Sequence, residues 1–542
     1  MGASKSSVTA ITTETDEVPE FRPTRRFWAA FGSLLVVILA SALDATSLST
    51  ALPIISRELG GTAIQAFWAG TSFLLTSTVF QLTFGSLSQT FGRKYLIILA
   101  LILFTVGSIV AAIAHDMTTL LIGRSIQGAG GGGILSLTEV VITDLVPLRQ
   151  RGKYFGYGGA VWALGSVTGP IMGGALAEAA SWRWIFWINL PICAIGFVLI
   201  IAFLNQKPVS GSLIPKLVKV DWIGAFLLTA SATSLLLALS WGNVMYPWSS
   251  WRTILPLILG VVGIAGFVVY EGKVPHDPIV RLAIFKEKTA LVTYLGTCVH
   301  GIVLWCLLYY LPLYYECVKG YSAIISGVGV FPETFTVAPA SIVVGVLVSK
   351  WGRFRWAIWS GWFLSTLGMG LLYLLGPDSS IPAWVFLNLV PGLGLGMLYN
   401  SQGYATQAAA EEQDSAHAAT MYVFSRSFGQ SIGVAVGGAI FQSQFVVNLR
   451  AYPELAAEAT ELSQEASSLV EVVKAMQPDS PRRVMIVAAY ADSLKVVWAT
   501  MAGLAFVALA TSLFTRSLNV NRKLESEQQL QEKEDFTGSS SA

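Results

Sequence analysis

The sequence predicts an all-α integral membrane protein of about fourteen transmembrane helices, and three observations carry that prediction. Of its 542 residues, 54% are hydrophobic and 12% charged, and the mean hydropathy is +0.63; soluble chains are about 25% charged. Apolar runs of the roughly 20 residues needed to cross about 30 Å of hydrocarbon recur along its whole length. In two of these runs glycines repeat at helical spacing, forming the small-residue faces by which helices approach closely in lipid.

Composition excludes several function classes. A formal charge of +2 without a Lys/Arg cluster argues against nucleic acid, whose phosphates demand clustered cations. Cys193, Cys298, Cys306 and Cys317 lie in or beside apolar runs without metal-ligand spacing, so neither a zinc site nor a disulfide framework is expected. There is no Gly-x-x-x-x-Gly-Lys-Ser/Thr loop, nucleophile–base pair or cofactor-binding loop, so ATP drive, catalysis and a cofactor are not expected. Residues 1–26 read as a disordered, Ser/Thr/Glu-rich tail without a cleavable signal, and the first helix as its own insertion signal.

The runs centre near Val37, Leu74, Thr105, Gly131, Leu164, Gly196, Ala230, Val262, Val303, Thr336, Ser365, Leu395, Gly433 and Leu504. An even number puts both tails on one side, and the bias of Lys and Arg toward the tails and the loops on their side makes that side cytoplasmic. The first run carries Asp44, whose insertion costs about 2.5–3.5 kcal/mol when ionised, so it needs a partner or a task. Gly85-Ser-Leu-Ser-Gln89-Thr-Phe-Gly92-Arg93-Lys94 follows the second run. Arg93 and Lys94 there serve either as topological anchors or as part of a gate, with Asp144 at the inner end of the fourth run as a candidate partner for Arg93.

In the fourth run, Gly123-Arg124-Ser-Ile-Gln-Gly128 embeds one arginine among small residues. At 1.5 Å per residue Arg124 lies about 10 Å below the outer end, comparable to Asp44, so the two are expected to meet across a cavity, either as a proton-coupling pair or as a static strut. The fifth run holds Gly165-Ser-Val-Thr-Gly169-Pro170-Ile-Met-Gly173-Gly174. This is a ladder for close packing, with a proline that frees a carbonyl one turn earlier. Trp182, Trp184 and Trp187 mark an interfacial belt.

The chain repeats itself: Gly345, Leu347, Gly352 and Arg353 echo Gly85, Leu87, Gly92 and Arg93, and Gly429, Gly433, Gly437 and Gly438 echo the ladder, about 260 residues on. The expected organisation is a six-helix half over 27–204, a linker with two extra helices over 205–288, a second half over 289–515 with an outer loop at 442–491, and a disordered tail over 516–542. In the second half Glu333 is an intramembrane carboxylate, either functional or satisfied by neighbouring hydroxyls near the outer boundary. Arg426 sits in the thirteenth run, His300 reads as a packing residue, and Tyr309, Tyr310, Tyr314 and Tyr315 read mainly as a belt.

The ladder with Pro170 resembles the antiporter motif of the major facilitator superfamily. The Gly85–Arg93 stretch resembles that family's inner-loop motif, with Gln89 where an Asp is usual, which weakens an ionic lock there and gives Asp144 its place. The Arg124 segment resembles the helix 4 motif, and the Trp182–Pro191 run resembles the drug:proton antiporters. The resemblance implies two halves rocking about a central site, in the fourteen-helix branch that includes fungal efflux pumps for toxins and secondary metabolites. It implies proton-driven export of amphipathic small organic molecules across the plasma membrane by a monomer. A vacuolar transporter of basic amino acids on the same fold, or a non-transporting membrane sensor, are the alternatives.

Overall fold

A computed structural model describes residues 21–61, 63–242, 245–275, 277–464, 466–522 and 528–530. Fourteen long helices make up almost all of it. They are α1 (Arg25–Glu58), α2 (Ala63–Phe91), α3 (Arg93–Ala112), α4 (Met117–Leu145), α5 (Leu148–Ala179), α6 (Asn189–Phe203) and α7 (Trp222–Trp241), followed by α8 (Trp251–Glu271), α9 (Lys288–Leu313), α10 (Phe331–Trp351), α11 (Arg355–Leu371), α12 (Ile381–Ala409), α13 (Ser415–Arg450) and α14 (Pro481–Ser512). Twelve helical segments among the described residues are long and apolar enough to cross a membrane. The two remaining helices, α2 and α4, are 29 residues each but richer in small and polar side chains.

Local signals start and stop these helices. Thr24 accepts from the Phe27 amide at the head of α1, Asp116 from Thr119 at α4 and Asp221 from Gly224 at α7, each occupying an otherwise orphaned N–H. Gly92 opens α3 at φ 97° and Gly352 closes α10 at φ 66°, left-handed conformations that a side chain would strain.

Packing follows the internal repeat. In the first half α2 and α3 flank α4, α1 lies along α5, and α6 backs α1 and α3; in the second, α10 and α11 flank α12, α9 lies along α13, and α14 backs α9 and α11. The halves meet where α5 faces α10 and where α13 faces α2 and α4. Helices α7 and α8 pack on each other, and α7 leans on α2 and α13. The outer face of α8, with Ile258, Leu259 and Val262, stays bare, as suits a surface turned to hydrocarbon.

Hydrogen bonds between the halves run from mid-bundle toward the end that holds the termini. Thr78 and Gln81 meet Ser427 at mid-height. Nearer the termini Arg149 donates to the carbonyls of Ser349 (2.5 Å) and Lys350 (2.8 Å), and Arg151 to Gln407 and Ser415 (2.7 Å each). There the Gly152 amide donates to the Tyr404 hydroxyl at 2.9 Å. This end is closed.

Two boundaries differ from the sequence reading. The loop expected over 442–491 is shorter, because α13 runs on to Arg450 and α14 begins at Pro481. Phe441, Phe445 and Leu449 are buried there, with Phe445 4.3 Å from the Tyr490 ring, so apolar packing extends both helices. Short helices at Ala459–Gln464 and Ala466–Ala475 fill the connection.

The tail expected to be disordered over 516–542 is packed where it is described. Arg522 donates to the carbonyls of Ala408 and Ala410 at 2.7 Å each, and Asn521 accepts from Arg149 at 3.1 Å. The Gln528 side chain accepts from the Arg93 amide at 3.1 Å, and Leu530 pairs with Gln206. The remainder of that tail, and most of the tail expected over 1–26, lie outside the described residues.

Candidate functional site

Asp44 and Arg124 are brought together, each about 1% exposed. An Arg124 Nη1–H donates to Asp44 Oδ2, and the same nitrogen reaches Gln127 Oε1 at 2.7 Å. Its Nε–H donates to the Ala69 carbonyl at 3.1 Å, and the guanidinium lies 4.4 Å from the Phe73 ring centre. The other carboxylate oxygen, Oδ1, accepts from Gln127 Nε2 at 2.7 Å and from Asn189 Nδ2 at 2.8 Å. Gln127 also donates to Ser108 at 2.8 Å. The ion pair was expected to face a cavity; instead it is buried inside the first half, enclosed by residues of five helices, α1, α2, α3, α4 and α6.

The ladder lies directly beside this pair. A Cβ on Gly165 would sit 2.6 Å from Ala42 Cβ and 3.1 Å from the Leu43 amide, and one on Gly169 would be 3.1 Å from both the Leu43 carbonyl and the Ser47 amide. Gly173 faces the Ser47 backbone just as tightly, whereas Gly174 faces Thr50 at ordinary contact distance. Thr50 donates to the Pro170 carbonyl at 2.9 Å, and Thr46 reaches the Gly165 carbonyl at 3.4 Å, so α1 hydroxyls tie the two helices together along the ladder. The second ladder does the same job between α13 and α9: Gly429 and Gly433 face the Cys298 and Ile302 backbones.

At the termini end Arg93 donates to Asp144 Oδ2 at 3.0 Å and to Ser88 at 2.7 Å, both charged groups being buried. Gln89 is half-buried and takes no part in that pair. Gly85 lets α2 press against Thr420 of α13.

Glu333 is fully buried in the first turn of α10; one oxygen accepts from Thr334 at 3.0 Å, the other has no hydrogen bond, and it does not join Asp44. His300 meets the Leu395 carbonyl at 3.0 Å. Of the tyrosines expected as a belt, Tyr314 and Tyr315 are core residues, 1% and 0% exposed, with hydroxyls on Gly376 and Asn388. Tyr309 is exposed and lies within electrostatic reach of Arg124.

Sequence reasoning missed Glu139. On α4 and half-buried, it looks across the junction of the halves toward Arg426 on α13, close enough for the two charges to act on one another. Arg426 lies 4.1 Å from the Tyr399 ring centre and 4.9 Å from that of Tyr422, whose hydroxyl it meets at 2.9 Å. The signal was available: a carboxylate within an apolar run defaults to a functional hypothesis.

Known proteins match this chain across the same region. The family model described as Major Facilitator Superfamily matches residues 34–434. A protein named MFS transporter L2 from a Phoma species is 50% identical over 514 residues, covering 95% of this chain and 86% of the relative. An MFS-type efflux pump, LUC4 of a Fusarium species, is 36% identical over 531 residues, covering 96% and 93%. An MFS-type transporter of the acurin A biosynthesis cluster of Aspergillus aculeatus is 40% identical over 421 residues, covering 77% and 76%. Among solved structures, the human organic anion transporter MFSD10 superposes with TM-score 0.58 at 14% identity, over 91% of this chain and all of that one. The proton:xylose symporter XylE superposes with TM-score 0.55 at 13% identity, over 93% and 99%. With a family match over most of its length, the same paired packing in each half and relatives aligned nearly end to end, the chain belongs to the major facilitator superfamily.

Proposed function

We propose that this protein exports amphipathic organic molecules of the toxin or secondary-metabolite kind in exchange for protons. Its halves alternate access, working as a monomer in the plasma membrane with fourteen spans and both termini cytoplasmic. Efflux pumps and biosynthetic-cluster transporters among the relatives support export. The observation that carries the coupling is the register of α1 on α5: Asp44 follows Leu43, the residue whose backbone Gly165 and Gly169 touch. Protonating Asp44 releases Arg124, and any shift of α1 that follows passes directly into α5, because the glycines leave no α5 side chain to cushion the contact. At 100 mV one proton supplies about 2.3 kcal/mol, roughly a fifty-fold gradient of neutral substrate.

The test uses sealed vesicles with an imposed pH gradient and fluorescent amphipathic dyes. Wild type should accumulate dye only while the gradient lasts, and Asp44→Asn at matched protein level should bind dye without accumulating it. Accumulation by the variant that still follows the gradient would remove Asp44 as proton carrier and bring Glu333 forward. Gradient-driven uptake of lysine without dye transport would replace the export reading.

A further inference from the structure

The membrane-embedded arginines are not equally satisfied. Arg124 bonds to Asp44, Gln127 and Ala69; Arg151 to Val146, Thr143, Gln407 and Ser415; Arg93 to Asp144 and Ser88. Arg426, 7% exposed, meets the Tyr422 hydroxyl at 2.9 Å and the Tyr399 side chain, and among the described residues it has no ion pair within 4.0 Å. A guanidinium carries five N–H donors, more than two tyrosine side chains can take up. Glu139 stands opposite on the other half, within electrostatic reach yet not in contact, and its Oε2 is buried without a hydrogen bond. Both groups sit where α4 meets α13, and the Tyr399 and Tyr422 rings brace the guanidinium in a fixed plane.

We propose that the gap between Arg426 and Glu139 is the polar subsite of the transport cavity and that its ligand is an amphipathic organic acid, whose carboxylate is received by Arg426. The argument rests on the export reading and names its substrate class. A planar, always-charged fork with free donors matches a carboxylate two-pronged, which a lysine would not do. The braced rings offer an apolar wall to the rest of the molecule. Glu139 faces the same space as an acceptor for a hydroxyl or N–H of the ligand, and it repels acids that carry no such donor.

Equilibrium binding reads this site without any gradient, so its outcome is independent of the proton-exchange test. The full chain in nanodiscs is titrated with 1-pyrenebutyrate, 1-pyrenebutanol and 1-pyrenebutylamine, and energy transfer from tryptophan reports occupancy. Wild type should bind the acid about tenfold more tightly than the alcohol, a ratio within the range of one charge-assisted contact. Arg426→Gln should abolish that ratio while leaving the alcohol unchanged. Arg426→Lys, which keeps the charge and guards against misfolding of the first variant, should retain part of it. Glu139→Gln should tighten the acid further, since the nearby like charge is gone. Equal binding of acid and alcohol, binding of neither, or a preference for the amine that Glu139→Gln removes would each overturn the assignment.

Discussion

Gln127 completes the buried ion pair, because one amide both accepts from Arg124 and donates to Asp44 and Ser108. Replacing it with leucine leaves Asp44 Oδ1 with Asn189 alone and strips Arg124 of a partner. The expected cost is about 1–3 kcal/mol, seen as a lower unfolding temperature of the purified protein. At the end away from the termini, Glu58 accepts from Trp182 Nε1 at 2.9 Å and Arg183 Nη1 at 2.6 Å, pinning the close of α1 to the turn before α6. The Arg183 hydrogen bond, opposed by slight burial and helped by Trp182, holds the Glu58 carboxyl below its usual range. A depressed carboxyl contributes stability above its unfolded pKa and loses it as pH falls through the folded value. Thermal unfolding of wild type and Glu58→Gln should therefore differ at neutral pH and converge in acid, once the pH has fallen below the ordinary carboxylate range, with a gap of at most about 1 kcal/mol because the pair is half-exposed.

At the scale of the helix, a glycine matters by what lies against it. Gly169→Leu drives a side chain into the Leu43–Ser47 backbone, so vesicle transport should fall at least about tenfold although the protein reaches its membrane. Wild-type rates in that variant would mean that the ladder contact is dispensable. Gly345→Val meets the Gly152 backbone at 2.6 Å and should keep α5 and α10 apart at the termini end. Amide exchange over residues 148–156 should then quicken relative to wild type. Gly70→Ala is the matched control: nothing lies within 4 Å, so it should leave transport intact and favour the helix by up to about 1 kcal/mol.

For the whole molecule, the two halves reproduce one packing scheme and are tied at one end by arginine–carbonyl and tyrosine–amide bonds, with the C-terminal segment lying from α12 across to Arg93 and Gln206. The proposed fourteen spans would put both tails on one side and the turn at Ala114–Asp116 on the other. Epitope tags at each terminus and in that turn, probed in intact and permeabilised cells, check this directly. Tags at the two termini that become reachable under different conditions would break the count.

Much of this was legible in the sequence because it is local or periodic. Apolar run length sets the spans, glycines at helical spacing mark α5 and α13 for close contact, equal depth along two helices brings Asp44 to Arg124, and the inner end of α4 offers Asp144 to Arg93. What was not legible depends on how finished helices face one another. In lipid both the outer and the inner surface of a helix are apolar, so periodicity does not tell which side of α4 turns toward the other half. Glu139 is as plain a carboxylate as Glu333, but that it looks toward Arg426 was not legible. Nor does hydropathy separate a belt from a core: Tyr314 and Tyr315 are buried because α14 and the chain before α12 close over them. The sequence by itself determined the helices, their depth and the repeat; only the tertiary structure decided which charges face each other across the halves, because that is set by rigid-body packing of two units whose contacts lie hundreds of residues apart.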